Sequence, residues 1–244
     1  MITNKSKLEI MPNFQEGETI LIDKELGSTS FDVVYKIRKI TKVKKVGHAG
    51  TLDPLATGLL IICTGKMTKQ ISQYSNLDKT YTGIITLGKT TPSFDLETEF
   101  DSEKPLDDIK VDNIYQARKE FLGAVKQQPP IYSAIKHKGK TLYSLARKGI
   151  DVERQPREVF ISEFEILNID LPDIYFKITC SKGTYIRALA NDFGKVLGCG
   201  AYLKKLRRIK IGDFLVSDAL SVDGFKKMIN QFLELNYENI LRYS

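Results

Sequence analysis

The sequence predicts an α+β chain in which helices flank a mixed sheet. Three observations predict it. Apolar residues recur at period 2 in some stretches and at 3–4 spacing in others. Strands and helices do not alternate strictly, as a doubly wound parallel sheet would require. The 244 residues, 42% hydrophobic, supply core for one large domain or two small ones.

In chain order, residues 19–23 read as a short strand, followed by a Gly27-Ser28-Thr29-Ser30 turn with Ser30 as N-cap. Val33, Val34, Ile37 and Ile40 give the next helix an apolar stripe, and its other face is basic. Gly47, Gly50, Pro54 and Gly58 make residues 47–58 a loop. The apolar run 59–63 is too short to separate helix from strand. Residues 81–87 read as a strand, 95–108 as an acidic loop and 109–121 as a helix broken by Pro129-Pro130. A short helix over 141–148 stops at Gly149. Two strands, 159–171 and 174–180, surround Pro172-Asp173; Ile174, Phe176, Ile178 and Cys180 share one face of the second. Thr184 can cap a helix carrying Ile186, Leu189, Ala190, Phe193, Val196 and Leu197, which Gly198 ends. Two helical segments, near 222–229 and 230–241, close the chain. The expected organisation is a catalytic domain over 1–212, with a thumb-like insertion at about 121–150, and a short helical tail over 213–244.

No apolar run approaches the ~18 residues of a membrane span, and the first twenty residues lack a signal-peptide core. A cytoplasmic protein without membrane contact is expected. Cys63, Cys180 and Cys199 are scattered and, with only His48 and His137 beside them, form no zinc-type spacing, so no metal is expected. Gly58 to Lys66 and Asp78-Lys79-Thr80 superficially resemble nucleotide and phospho-aspartate motifs, but neither has the required spacing or following residues.

Net charge is +7, from 37 basic and 30 acidic residues. Windows 33–52, 121–150 and 193–212 each hold six bases and no acid, whereas residues 95–120 carry nine acids. Such segregation fits the electrostatic footprint of a polyanion binder.

The most informative stretch is GHAGTLDPLATGLL, residues 47–60. Its glycines permit close backbone approach, and Pro54 pushes Asp53 towards an extended conformation. An Asp before Pro in a loop is ordinarily only a turn residue. The string as a whole resembles the signature of the TruB/dyskerin group of pseudouridine synthases. Further matches follow in family order: Leu21-Ile22-Asp23-Lys24, Asp78-Lys79-Thr80-Tyr81, Gly88-Lys89-Thr90-Thr91, Gln128-Pro129-Pro130-Ile131-Tyr132-Ser133-Ala134 (the family's QxPPxxSA), Cys180 to Arg187, and Leu206-Arg207-Arg208. The resemblance covers about residues 18–214, with the compact spacing of bacterial members. It departs at Glu25, where a proline is usual, and after Arg208, where only 36 residues remain for the usual C-terminal RNA-binding domain.

The resemblance implies the pseudouridine synthase fold, mainly antiparallel, and an enzyme that isomerises a uridine in the T-loop of tRNA (position 55). Such an enzyme flips out the base, breaks its N-glycosidic bond and rejoins it through carbon, with no cofactor and no guide RNA. It implies Asp53 as the catalytic carboxylate, acting at ribose C1′; a covalent adduct and a glycal both remain compatible. Arg187 would pair with Asp53, and Tyr81 would stack on the flipped base. His48 would occupy the space that the base vacates, and Tyr185 and Leu206 would line its pocket. Lys24 would be structural or contact phosphate. The bland alternatives are a surface arginine for Arg187, core packing for Tyr81, Tyr185 and Leu206, and a loop imidazole for His48. A non-catalytic tRNA-binding or folding protein on the same scaffold is the competing class; it could dispense with Asp53, Tyr81 or Arg187, and all three are present. A hydrolase using Asp53 would need a second carboxylate or histidine, and none stands at suitable spacing.

Overall fold

The computed structural model describes the chain apart from Ala134, Lys138, Asp151 and Ser244, and describes the backbone alone for Lys136, His137 and residues 236–243. The expected basic contribution of Lys136 and Lys138 therefore lies outside the described side chains. The elements are Thr19–Lys24 (β1), Ser30–Thr41 (α1), Val46–Ala49 (β2), Ala56–Thr64 (β3), Ile71–Asn76 (α2), Lys79–Leu87 (β4), Lys89–Thr90 (β5), Ser102–Glu103 (β6), Val111–Lys119 (α3) and Gly123–Gln127 (β7). Then come Lys136–His137 (β8), Lys140–Thr141 (β9), Leu142–Ala146 (α4), Arg157–Asp170 (β10), Asp173–Cys180 (β11), Ile186–Val196 (α5), Ala201–Ile211 (β12), Phe214–Leu215 (β13) and Val222–Tyr243 (α6). The chain forms two compact units, one of residues 1–79 and 207–244, the other of residues 80–206.

In the first unit β3 pairs antiparallel with β1, from Thr19 opposite Cys63 to Lys24 opposite Gly58, and with β2. The ambiguous run 59–63 is thus a strand, and it lacks polar alternation because both its faces are covered. Leu60 and Ile62 point with Ile20 and Ile22 into a core shared with Val33, Val34 and Ile37 of α1 and Phe225 and Ile229 of α6. Leu59, Ile61 and Cys63 point the other way, with Leu21, against Ile71 and Tyr74. Thr29, and not Ser30, caps α1: its side chain accepts from the Asp32 amide while Asp32 accepts from the Thr29 amide. The chain closes in one helix, α6, where two were expected, and β13 pairs with the end of β12 ahead of it.

In the second unit β11, β10 and β7 are consecutive neighbours, preceded by β4 and by the first half of β12. β10 pairs antiparallel with both β11 and β7. Phe164 and Phe176, on facing strands, meet edge to face at 6.3 Å, and Phe164 lies 5.6 Å from Phe193 of α5. Hence α5 lies on this sheet by its apolar stripe. Its start differs from expectation: Thr184 donates its hydroxyl to the Ser181 carbonyl, and Tyr185 is the capping residue. The segment expected as a thumb begins as the sheet strand β7 and continues into the β8–β9 pair and α4. Among the described residues no helix is long and apolar enough to cross a membrane.

Candidate active site

The loop at residues 50–55, between β2 and β3, carries Asp53, which is half-buried. His48 lies on β2, so the loop is shorter than the glycines alone implied. Several groups of the first unit fix it. The Leu52 amide donates to Ser30 Oγ at 2.9 Å, and that hydroxyl lies 3.2 Å from the Leu52 carbonyl. The Ala56 amide closes a turn onto the Asp53 carbonyl at 3.0 Å. Lys24, fully buried, donates from Nζ to the carbonyls of Ser28 (2.6 Å), Glu25 (3.1 Å) and Pro54 (3.4 Å). Burial is the main reason that its pKa falls to about 8; the Arg208 charge lowers it further, and the Asp53 carboxylate opposes the fall. Glu25 stands where a proline is usual, yet the turn still delivers Lys24 to these carbonyls.

Arg208 ties the start of the loop to strand β3. Its guanidinium, 1% exposed, donates from Nε to the Leu59 carbonyl at 2.7 Å and from Nη2 to the Gly50 carbonyl at 3.0 Å. Gly58, at φ 108°, lies so close to the Arg208 backbone that a Cβ there would sit 2.3 Å from its carbonyl oxygen. Only glycine permits that approach. Next to it Arg207 grips both carboxylate oxygens of Asp23, at 2.6 and 3.1 Å. Neither arginine is a free phosphate contact, as the basic window over 193–212 had implied. Burial and the Arg208 charge push the His48 pKa down, against an opposing Gly50 backbone hydrogen bond. Both effects disfavour the protonated imidazole.

The other candidates belong to the second unit. Tyr81, on β4, is buried, and Leu206, on β12, is half-buried. Arg187 lies in the first turn of α5 and is 3% exposed, which excludes the surface-arginine reading. Its Nη1 lies 3.7 Å from Asp95 Oδ2 and 3.4 Å from the Ser93 carbonyl, and Nη2 donates to the Tyr132 carbonyl at 2.5 Å. The acidic stretch thus sends one buried carboxylate inward instead of lying wholly as a loop in solvent. Tyr185 is held through its backbone: its amide donates to Gln127 Oε1 at 2.8 Å, and Gln127 Nε2 donates to its carbonyl at 3.0 Å. The working glutamine of the QxPP pattern is therefore the buried Gln127, whereas Gln128 is exposed.

The structure gathers Lys24, His48 and Asp53 in one unit and Tyr81, Arg187, Tyr185 and Leu206 in the other. Arg208, Ser30, Gln127 and Asp95 escaped the sequence reading as supporting residues. The Leu-Arg-Arg and Gln-x-Pro-Pro patterns were visible signals for Arg208 and Gln127; Ser30 was marked only as a helix cap, and nothing marked Asp95. Among the described residues no group of three or more His, Cys, Asp or Glu could hold a metal ion.

Residues 38–186 match the model of the TruB family pseudouridylate synthase N-terminal domain, and residues 187–242 that of the tRNA pseudouridylate synthase B C-terminal domain. The chain is 49% identical over 223 residues to tRNA pseudouridine synthase B of Flavobacterium johnsoniae, covering 88% of this chain and 97% of the relative. It is also 49% identical over 230 residues to the enzyme of the same name from Chloroherpeton thalassium, covering 92% and 95%. Among solved structures it resembles a chain of a Cbf5-Nop10-Gar1 complex, with TM-score 0.62 and 32% identity over 81% of this chain and 49% of that one. A chain of an H/ACA RNP bound to a substrate RNA containing 2′-deoxyuridine gives TM-score 0.65 at 27% identity, covering 88% and 53%. The protein spans about half the length of these structural relatives.

Proposed function

The chain belongs to the TruB family of pseudouridylate synthases, and from that premise we propose that it acts on the T-loop uridine of tRNA, at position 55, with Asp53 as the catalytic carboxylate. It is an isomerase that converts uridine in tRNA to pseudouridine, so the non-catalytic alternative is not favoured. The C1′–N1 bond breaks, the base turns, and C5 bonds to C1′; the C5 proton leaves to solvent and N1 gains one, so nothing is oxidised or imported. This needs no cofactor, and by resemblance to the compact bacterial enzymes it needs no guide RNA.

A stacked uridine cannot reach a half-buried carboxylate, so the base must flip out, at a cost of a few kcal/mol. Phosphate contacts from exposed lysines and a thumb within residues 121–150 offset that cost. Tyr81 stacks on the flipped base, Tyr185 and Leu206 line its pocket, and His48 fills the space that it leaves. Arg187 is the proposed partner of Asp53 in the reacting complex. Lys24 and Arg208 act through the backbone as positioning residues. The enzyme works in the cytoplasm, where its substrate is.

The observation that carries this reading is the bracing of the Asp53 loop. Two buried cations and a buried hydroxyl bind its backbone, Lys24 at Pro54, Arg208 at Gly50 and Ser30 at Leu52, while Asp53 itself is half-buried. Asp53→Asn tests it: tritium release from tRNA carrying 5-tritiated uridine should fall to background, with tRNA affinity kept within about tenfold, because phosphate contacts carry affinity. Turnover near wild type would sink the assignment.

A further inference from the structure

We propose that Gln127 is a positioning residue for the isomerisation: its carboxamide sets the start of α5, and with it Tyr185 and Arg187. The inference rests on the reading of those two residues as parts of the reacting site. Gln127 is the last residue of β7, the final strand in the sheet order, and is 3% exposed. Beyond Cys180 the chain leaves β11 for a turn and reaches α5 at Tyr185. There Gln127 does for Tyr185 what a neighbouring strand would do. Its Oε1 accepts from the Tyr185 amide at 2.8 Å, and its Nε2 donates to the Tyr185 carbonyl at 3.0 Å. A residue in a hydrogen-bonded antiparallel pair exchanges the same two bonds with its partner. A carboxamide can imitate that partner because it carries an acceptor and a donor side by side on one plane.

Satisfying a buried amide does not require this arrangement. The Tyr185 carbonyl already accepts from the Leu189 amide at 3.1 Å, as the first acceptor of α5. A simple acceptor for the Tyr185 amide would therefore leave the carbonyl satisfied. The second bond fixes orientation instead. Two parallel bonds from one planar group add a geometric specificity that one bond lacks.

A second tie stiffens the assembly. Further along the same segment, the Tyr132 carbonyl accepts from Arg187 Nη2 at 2.5 Å. The segment from Gln127 to Tyr132 thus meets the start of α5 at two points. Between them lie Pro129 and Pro130, both buried, whose rings restrict φ. Arg154 Nη1 adds a contact to the Pro129 carbonyl at 3.4 Å. The Gln-x-Pro-Pro pattern therefore acts as a clamp followed by a stiff spacer. Opening the clamp frees the first residue of α5, so that the Tyr185 ring and the Arg187 guanidinium shift together.

Gln127→Met keeps the length of the side chain and removes both bonds. Tritium release in a single turnover at saturating enzyme is measured beside the affinity for tRNA. The plateau rate should fall about 10- to 100-fold, the loss that follows a misplacement of ~1 Å, with the Kd for tRNA within about 3-fold of wild type. An unfolded fraction would weaken the apparent affinity and leave the plateau rate unchanged, so lost stability alone cannot produce this split. Gln127→Glu, which keeps the acceptor and loses the donor, should show the same split. In Gln127→Met the Tyr185 amide should also exchange with deuterium about tenfold or more faster than in wild type. A wild-type plateau rate in both variants overturns the proposal. So does a loss confined to Kd, since Gln127 would then serve binding, and so does a Tyr185 amide that exchanges at the wild-type rate. Asp53→Asn in the same assay separates the two failures. Turnover in that variant sinks the reading of the site; background release there, with a wild-type rate in Gln127→Met, sinks this inference alone.

Discussion

Replacing Arg208 by lysine separates positioning from binding. The guanidinium reaches two carbonyls, that of Gly50 at the start of the loop that carries Asp53 and that of Leu59 in the strand that follows it. Lysine keeps the charge but cannot reproduce the planar fork, so one buried carbonyl loses its donor. A hydrogen bond to a charged group contributes ~1.5–3 kcal/mol, which sets the expected loss of stability at about 2 kcal/mol. A domain with ~5–15 kcal/mol in hand stays folded. If the freed end shifts Asp53 by even ~1 Å, the chemical step can slow by up to ~10²-fold. The single-turnover rate of tritium release should therefore fall ~10–100-fold, with the Kd for tRNA within ~3-fold because the lysines of α1 are untouched. Urea unfolding measures the first effect and rapid-quench kinetics the second. A variant that loses the stability and keeps the wild-type rate would refute the reasoning, making Arg208 structural only.

Lys24 offers a test by pH. Below about 8 its ammonium is charged in folded and unfolded chains alike and carries the full cost of burial; between about 8 and 10.5 the folded chain alone sheds the proton. The unfolded state then binds more protons, so stability rises with pH across that window. Measured against Lys24→Met at each pH, wild type should gain up to about 3 kcal/mol; a pH-independent difference in urea midpoints would contradict the burial of this charge. Phe225→Ala, in the core that α6 shares with α1, should cost ~3–5 kcal/mol of stability and leave the Kd of the folded fraction within ~3-fold. A variant of full stability would show that α6 is not part of that core. Should the five exposed lysines of residues 36–45 each neutralise a phosphate, log K against log salt should slope at roughly −4; a flat plot from 50 to 200 mM salt would contradict it.

Whatever depends on near neighbours was legible in the sequence. The period-2 pattern of residues 174–180 and the apolar stripe of residues 186–197 placed β11 and α5 within a residue or two. The unbroken run from Gly47 to Leu60 marked Asp53, and through resemblance it named a chemistry. Propensity alone could not resolve residues 59–63, because a strand covered on both faces loses the alternation that identifies it. The two bases of Leu-Arg-Arg looked alike in the sequence and both read as phosphate contacts. Tertiary structure separates them from that role. One is paired with Asp23, and the other is buried and bonded to carbonyls 149 and 158 residues away. The same holds for Gln127, which meets Tyr185 58 residues on, and for Arg187, drawn into the interior beside Asp95. A motif records which side chains are present within a dozen positions. Whether a charged one faces solvent or satisfies buried carbonyls depends on what the fold packs around it, since burying a charge is tolerable only where hydrogen-bond partners await it, and those partners come from remote parts of the chain.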